Sequence, residues 1–246
     1  MRSHYIGETA RAKYLRMGAW VSDDWGSHAG GIHIYPVQEA GFIRKPLEAD
    51  SGDEAVTAMV AVKGLFGLLP RFAKDIHYGK RTYTARTETV AELASLKQAW
   101  AKAQHCIIPA DAIYEHDWRT GKFVPTRISR ADGETLGVAG LWNSWKAPSG
   151  EWMNSFTMQT INADTHPIFR ELHRPDPKLP PHMQDKRMVV ILNEDDYLRW
   201  SNASPADSLD FMRQYPAERL VAAAKPAPTK PKAEPKAKAK AEGQFF

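Results

Sequence analysis

Apolar residues recur along this chain in short runs cut by Gly, Pro and acidic turns, a rhythm that predicts many short strands and few helices. The most informative stretch is 105–118, HCIIPADAIYEHDW. Its apolar run Cys106-Ile107-Ile108 is interrupted by Pro109 and resumes through Ala110, Ala112, Ile113 and Tyr114, and Glu115 follows directly. If 112–117 is extended, period-two alternation puts Glu115 on the face of Ile113, with Tyr114 and His116 opposite. An acid on the apolar side of a strand loses solvation, which raises its proton affinity and suits it to proton transfer near neutral pH. The wet end of an ordinary strand would carry the same residue, so the pattern alone leaves both readings open.

The rest of the chain follows the same rhythm. Residues 8–17 read as a short helix, 32–35 and 41–44 as strands, 48–54 as an acidic turn, 55–62 as a strand and 63–75 as an apolar loop punctuated by Gly and Pro. Thr89 and Glu92 fit a capping box, and Val90, Leu93, Leu96 and Trp100 recur at helical spacing, predicting a helix to about Gln104. Strands are predicted at 124–129, 136–142, 156–161 and 188–192. Short helical pieces open at Thr165, Asp195 and Ser208, and 174–186 is Pro-rich and irregular. The sum is an α+β domain over 1–220, with a largely antiparallel β-sheet core and flanking helices. Residues 221–246, rich in Lys, Ala and Pro, read as a disordered tail.

Charge sharpens the picture once it is located. The net charge is +4, and six Lys against two Glu in 221–246 account for all of it. The folded body is neutral, so nucleic-acid contacts there must come from a local patch. The single cysteine excludes an intramolecular disulfide. No run approaches the roughly 20 apolar residues of a membrane span, and the N-terminus has no signal-peptide core, so a cytoplasmic address and no membrane partner are expected. His166, His173 and His182 are irregularly spaced, with no HExxH motif, so no metal is expected. A Gly-rich phosphate loop is missing, which excludes the common nucleotide folds. No cofactor is expected, and a monomer is. Phe245 and Phe246 end the tether and could dock in a protein partner.

Several stretches together resemble the SOS response-associated peptidase (SRAP) family, whose members process abasic sites in single-stranded DNA. FGLLPRFAKD (66–75) is similar to its WGLIPxWAKD, with Phe66 and Phe72 where Trp is usual. YTARTETV (83–90) resembles NARxET, HCIIPADAIYEHDW resembles RCLIPADGFYEW, VAGLW (138–142) matches AGLW, TINAD (160–164) its T-x-x-A stretch, and KRMVVIL (186–192) resembles RMPVIL. The order is kept over roughly residues 1–200.

The resemblance implies a chemistry. In the family Met1 is removed and a Cys becomes the N-terminus. Its amine attacks the ring-opened sugar aldehyde, and its thiol closes a stable thiazolidine. Carried over by position, Glu115 is the acid, and His173 best matches the family's His, with His182 as a rival across the Pro-rich insertion. Arg86 matches the phosphate-binding Arg, a surface ion pair with Glu88 being the plain alternative. Phe66, Phe72 and Pro36 would offer an apolar wall for an unstacked base, or ordinary core.

Two departures matter. Arg2 stands where the family's Cys belongs, and Thr84 stands where NARxET has Asn. Thr offers a hydroxyl in place of the amide's paired donor and acceptor. With Arg2 at the second position Met1 is expected to stay, and no thiol is available, because Cys106 reads as core. The resemblance therefore implies recognition of single-stranded or abasic DNA without the stable DNA–protein crosslink. An abasic-site lyase working through an N-terminal imine, and a protein-interaction module using the tail, are the alternatives.

Overall fold

The computed structural model describes residues 4–23, 25, 32–49 and 51–224. Met1, Arg2 and the tail with Phe245 and Phe246 lie outside the described residues. In chain order the strands are β1 (Tyr5–Gly7), β2 (Ile32–Ile34), β3 (Glu39–Arg44), β4 (Val60–Phe66), β5 (Thr84–Arg86), β6 (His105–Asp117), β7 (Val124–Arg130), β8 (Leu136–Lys146), β9 (Trp152–Asn162), β10 (Arg187–Val189), β11 (Ile191–Leu192) and β12 (Leu220–Ala224). Three short helices accompany them: α1 (Arg11–Arg16), α2 (Lys97–Ala101) and α3 (Tyr197–Asn202). The α+β expectation holds, as one sheet-rich domain.

The ladders close on themselves. β3 pairs with β4, β4 with β9, β9 with β8, β8 with β6, and β6 returns to β3. A five-stranded barrel results, antiparallel except at the β4–β9 seam. Closure satisfies the main-chain groups that open edges would leave unpaired. Phe42, Phe66 and Phe156 are fully buried and meet at ring distances of 5.1 and 5.6 Å about Phe156. The far half of β6 leaves the barrel and pairs with β1 on one edge and β7 on the other. Pro109 does not break β6. It sits opposite Gly137 within the ladder, and its carbonyl accepts from the Glu8 amide.

Three expectations change. The strand expected at 55–62 begins only at Val60 and runs on through Phe66, taking in the start of the expected loop. The helix expected from Val90 reduces to α2, with separate turns before it. Val90, Leu96 and Trp100 do bury together against Leu68, Ala85 and Leu141, but Leu93 is exposed. That packing, not helical periodicity, decides the path. The domain also reaches further than 220: Val221 to Ala224 pair with Ser129 to Thr126, and their main-chain groups complete the edge of β7.

Gly67 fixes the segment that joins β4 to β5. Its φ is +123°, and a Cβ there would lie 2.3 Å from the Gly79 carbonyl oxygen. Gly67→Ala is expected to cost about 3 kcal/mol or more, read as a lowered denaturant midpoint.

Under the barrel, His105 is buried against Trp200 at a ring distance of 4.0 Å, and its Nε2 lies 2.9 Å from Ser208 Oγ. Ser208 donates its own proton to the Ser204 carbonyl, so His105 Nε2–H is the donor in that pair. Burial lowers the His105 pKa to about 4. The unfolded chain binds a proton near pH 6.5 that the folded chain refuses, so stability falls as pH drops from about 6.5 towards 4. The loss is expected to approach about 3 kcal/mol. His105→Gln should flatten urea midpoints over that window by about one proton, with His166, also held down by burial, keeping a residual slope.

Candidate functional site

β6 carries Glu115 on a register fixed by β7, opposite Thr126, and the alternation buries it to 1% exposure beside Ile113. Across from it, the segment after the turn Phe169–Glu171 lies against the free edge of β6. Leu172 bridges Asp117, and the His173 amide donates to the His116 carbonyl at 2.6 Å. This delivers His173 Nε2 to 2.9 Å from Glu115 Oε2. A carboxylate oxygen accepts, so Nε2 is the donor of this bond, and Nδ1 is buried with no hydrogen-bond partner. His173 is the histidine at the acid, while His182 is exposed in the irregular stretch.

His173 adopts φ +67°, the left-handed region, which costs a non-glycine residue on the order of 1 kcal/mol. The strain is held by bonds on both sides: its amide on His116, and its carbonyl accepting from Lys186 Nζ at 2.9 Å.

A small cleft joins Glu115 to Thr84, Tyr83, Phe66, Met158 and His4. Burial and the nearby Glu115 charge push the Tyr83 phenol up, so it stays protonated. His4 also lines this cleft. Its ring lies between Tyr35 and Tyr114, both at 4.4 Å, and its Nε2 is 2.6 Å from His33 Nδ1. Burial lowers the His33 pKa, which favours a neutral partner for this contact. Sequence reading missed these rings, although alternation in 32–35 places His33 and Tyr35 on one face. It also missed Lys186, whose surroundings are set by residues distant in sequence.

The remaining predicted positions separate. Arg86 shares a strand face with Thr84 but is exposed, and it pairs with Asp185 at 2.7 Å. The alternative Arg86–Glu88 pair is not made, because Glu88 holds Arg187 in two bonds of 2.8 Å. Phe66 is core that also lines the cleft. Phe72 is exposed, edge-on to Tyr78 at 5.6 Å, and lines a different cleft with Leu68 and Asn143. Pro36 is half-buried in the turn after Tyr35. Thus Phe66, Phe72 and Pro36 do not form one wall: the barrel interior claims the first ring. Cys106 is fully buried in the core, its thiol pushed up by burial, away from any nucleophilic role. No three His, Cys, Asp or Glu side chains converge as metal ligands among the described residues, and no helix there is long and apolar enough to cross a membrane.

Known proteins share this arrangement of strands. A crystal structure of a Bordetella bronchiseptica protein superposes with a TM-score of 0.77 and 41% identity, over 92% of this chain and all of that one. A Bacteroides thetaiotaomicron structure gives a TM-score of 0.68 at 17% identity, a likeness of fold. In sequence, the abasic site processing protein YoqW of Bacillus subtilis is 31% identical over 143 residues, 58% of this chain and 57% of the relative. The abasic site processing protein HMCES of Rattus norvegicus is 24% identical over 145 residues, 47% of this chain and 40% of the relative. The matched region thus spans about half the length of these curated relatives. The family model for SOS response associated peptidases matches residues 11–225, and the chain belongs to that SRAP family.

Proposed function

We propose that this protein recognises abasic sites in single-stranded DNA during the response to DNA damage, and that it holds them without the family's stable thiazolidine. The observation that carries the reading is the Glu115–His173 pair, 2.9 Å apart, with Glu115 in a cleft that His4 and Tyr5 also line. Such a pair suits an aldehyde. The N-terminal amine adds to the aldehyde carbon, a proton passes to the oxygen, and water leaves as the imine forms. Glu115 and His173 handle those protons, and Thr84 lends a hydroxyl at the lesion. Arg86 is the phosphate contact, released from Asp185 as DNA binds. Arg2 supplies a cation but no thiol, so the imine stays reversible.

The deciding experiment is a denaturing gel with abasic single-stranded DNA, run for this chain and for Arg2→Cys, with and without borohydride. Expected is a heat-stable adduct without reductant for Arg2→Cys only, and a borohydride-dependent adduct for the unaltered chain. A heat-stable adduct from the unaltered chain without borohydride would overturn the role given to Arg2. Glu115→Gln should slow trapping by about a hundredfold or more, since positioned acid–base groups contribute about 10²–10⁴. Equal affinity for intact and abasic strands would remove lesion recognition altogether. Strand cleavage at the lesion in the same lanes would favour the lyase reading. Binding that ignores salt would favour an interaction module instead, because phosphate contacts release counterions.

A further inference from the structure

The segment bearing His173 is tied to the sheet by very little main chain. It makes one bridge, Leu172 to Asp117, and one amide bond, His173 to His116. Beyond it the irregular stretch 174–186 separates His173 from β10, so chain connectivity gives the imidazole no fixed place. Lys186 closes that stretch. It is buried to 6% exposure, and its Nζ donates to the Leu172 carbonyl at 2.7 Å and to the His173 carbonyl at 2.9 Å.

The lysine's own backbone is anchored twice. Its amide donates to Asp164 Oδ1 at 2.7 Å, and its carbonyl accepts from the Ala163 amide at 2.7 Å. Its neighbours are anchored as well, Asp185 on Arg86 and Arg187 on Glu88 and the Thr160 carbonyl. Among the described residues no carboxylate forms an ion pair with Lys186. Asp164 and Glu171 act on its charge without contacting Nζ, and a buried ammonium is costly unless its protons reach strong acceptors. Two consecutive carbonyls of a strained turn are those acceptors. In the intervening loop Gln184 bonds to Asp176, Leu179 and Pro180, and the one side-chain contact that Arg174 makes with the end of β6 is over the Trp118 ring at 5.5 Å, which leaves the Leu172 and His173 carbonyls to Lys186 among the described residues.

We propose that Lys186 is a positioning residue whose ammonium clamps the Leu172–His173 carbonyls and thereby holds the His173 imidazole on Glu115. Its catalytic consequence rests on the reading of that pair as the proton-handling groups; its geometry does not. Lys186→Met keeps the length and apolar stem and removes the donors, while Lys186→Arg keeps donors within reach of both carbonyls.

The test is nitrogen-15 NMR of the histidine side chains with amide hydrogen exchange, in full-length protein without DNA. In Lys186→Met the signature of His173 Nε2 bonded to a carboxylate should be lost, and the His173 amide should exchange at least tenfold faster. Amides of β1 and β9 should stay within twofold of the unaltered protein. Lys186→Arg should restore both readouts. In the abasic-DNA assay, Lys186→Met should lower the trapping rate at saturation at least tenfold, with affinity changed less than twofold. A folded Lys186→Met protein that keeps the His173 signature and slow exchange overturns the proposal. So does the unfolding of both variants, since the lysine would then hold the fold and not the strap. If the unaltered protein ignores abasic DNA while the NMR changes appear, the functional reading fails and the clamp stands.

Discussion

Everything in this domain hangs on a single strand having to satisfy both of its edges along thirteen residues. The first half of β6 closes the barrel between β3 and β8, and the second half leaves it to run between β1 and β7. A slip of one residue would turn Glu115 and Ile113 together to the opposite face. The register that closes the barrel is therefore the same constraint that aims the carboxylate. Stability and site geometry cannot be separated here.

Around that strand, buried charge is offset by local hydrogen bonds in three different ways. Arg187 meets the Glu88 carboxylate in a bidentate pair and also donates to the Thr160 carbonyl. Arg44 lies over the Trp142 ring at 4.6 Å and donates to the Lys45 carbonyl. Lys186 relies on two peptide carbonyls. The Arg187 and Lys186 anchors converge on the segments flanking the Glu115–His173 pair, which makes that corner expensive to rearrange. A left-handed histidine persists where its surroundings over-determine it, and here a backbone amide, a carboxylate and an ammonium all do so.

His4 and β1 reach the same corner by a different device. His4 is held by stacking between Tyr35 and Tyr114, and β1 joins the free edge of β6 beside it. Ring stacking fixes a terminal segment at modest conformational cost, because each aromatic side chain has only two torsions to order.

Alternation of apolar and polar residues by itself determined the strand-rich class and, for an extended 112–117, the face that Glu115 shares with Ile113, because those depend on a period of two. The apolar run around Cys106 marked it as core, because that depends on transfer from water. Motif order determined the family. What alternation could not determine was the choice between His173 and His182, since both sit in a Pro-rich stretch with no period. Nor could it show that Phe66 would be drawn into the barrel while Phe72 was left outside, or that turns would replace the helix expected from Val90. Those outcomes depend on which distant segments compete for the same space and the same hydrogen bonds. Closure of the barrel takes Phe66 inward, packing on Leu68, Ala85 and Leu141 sets the path from Val90, and the bridge of Leu172 to Asp117 puts His173 beside Glu115.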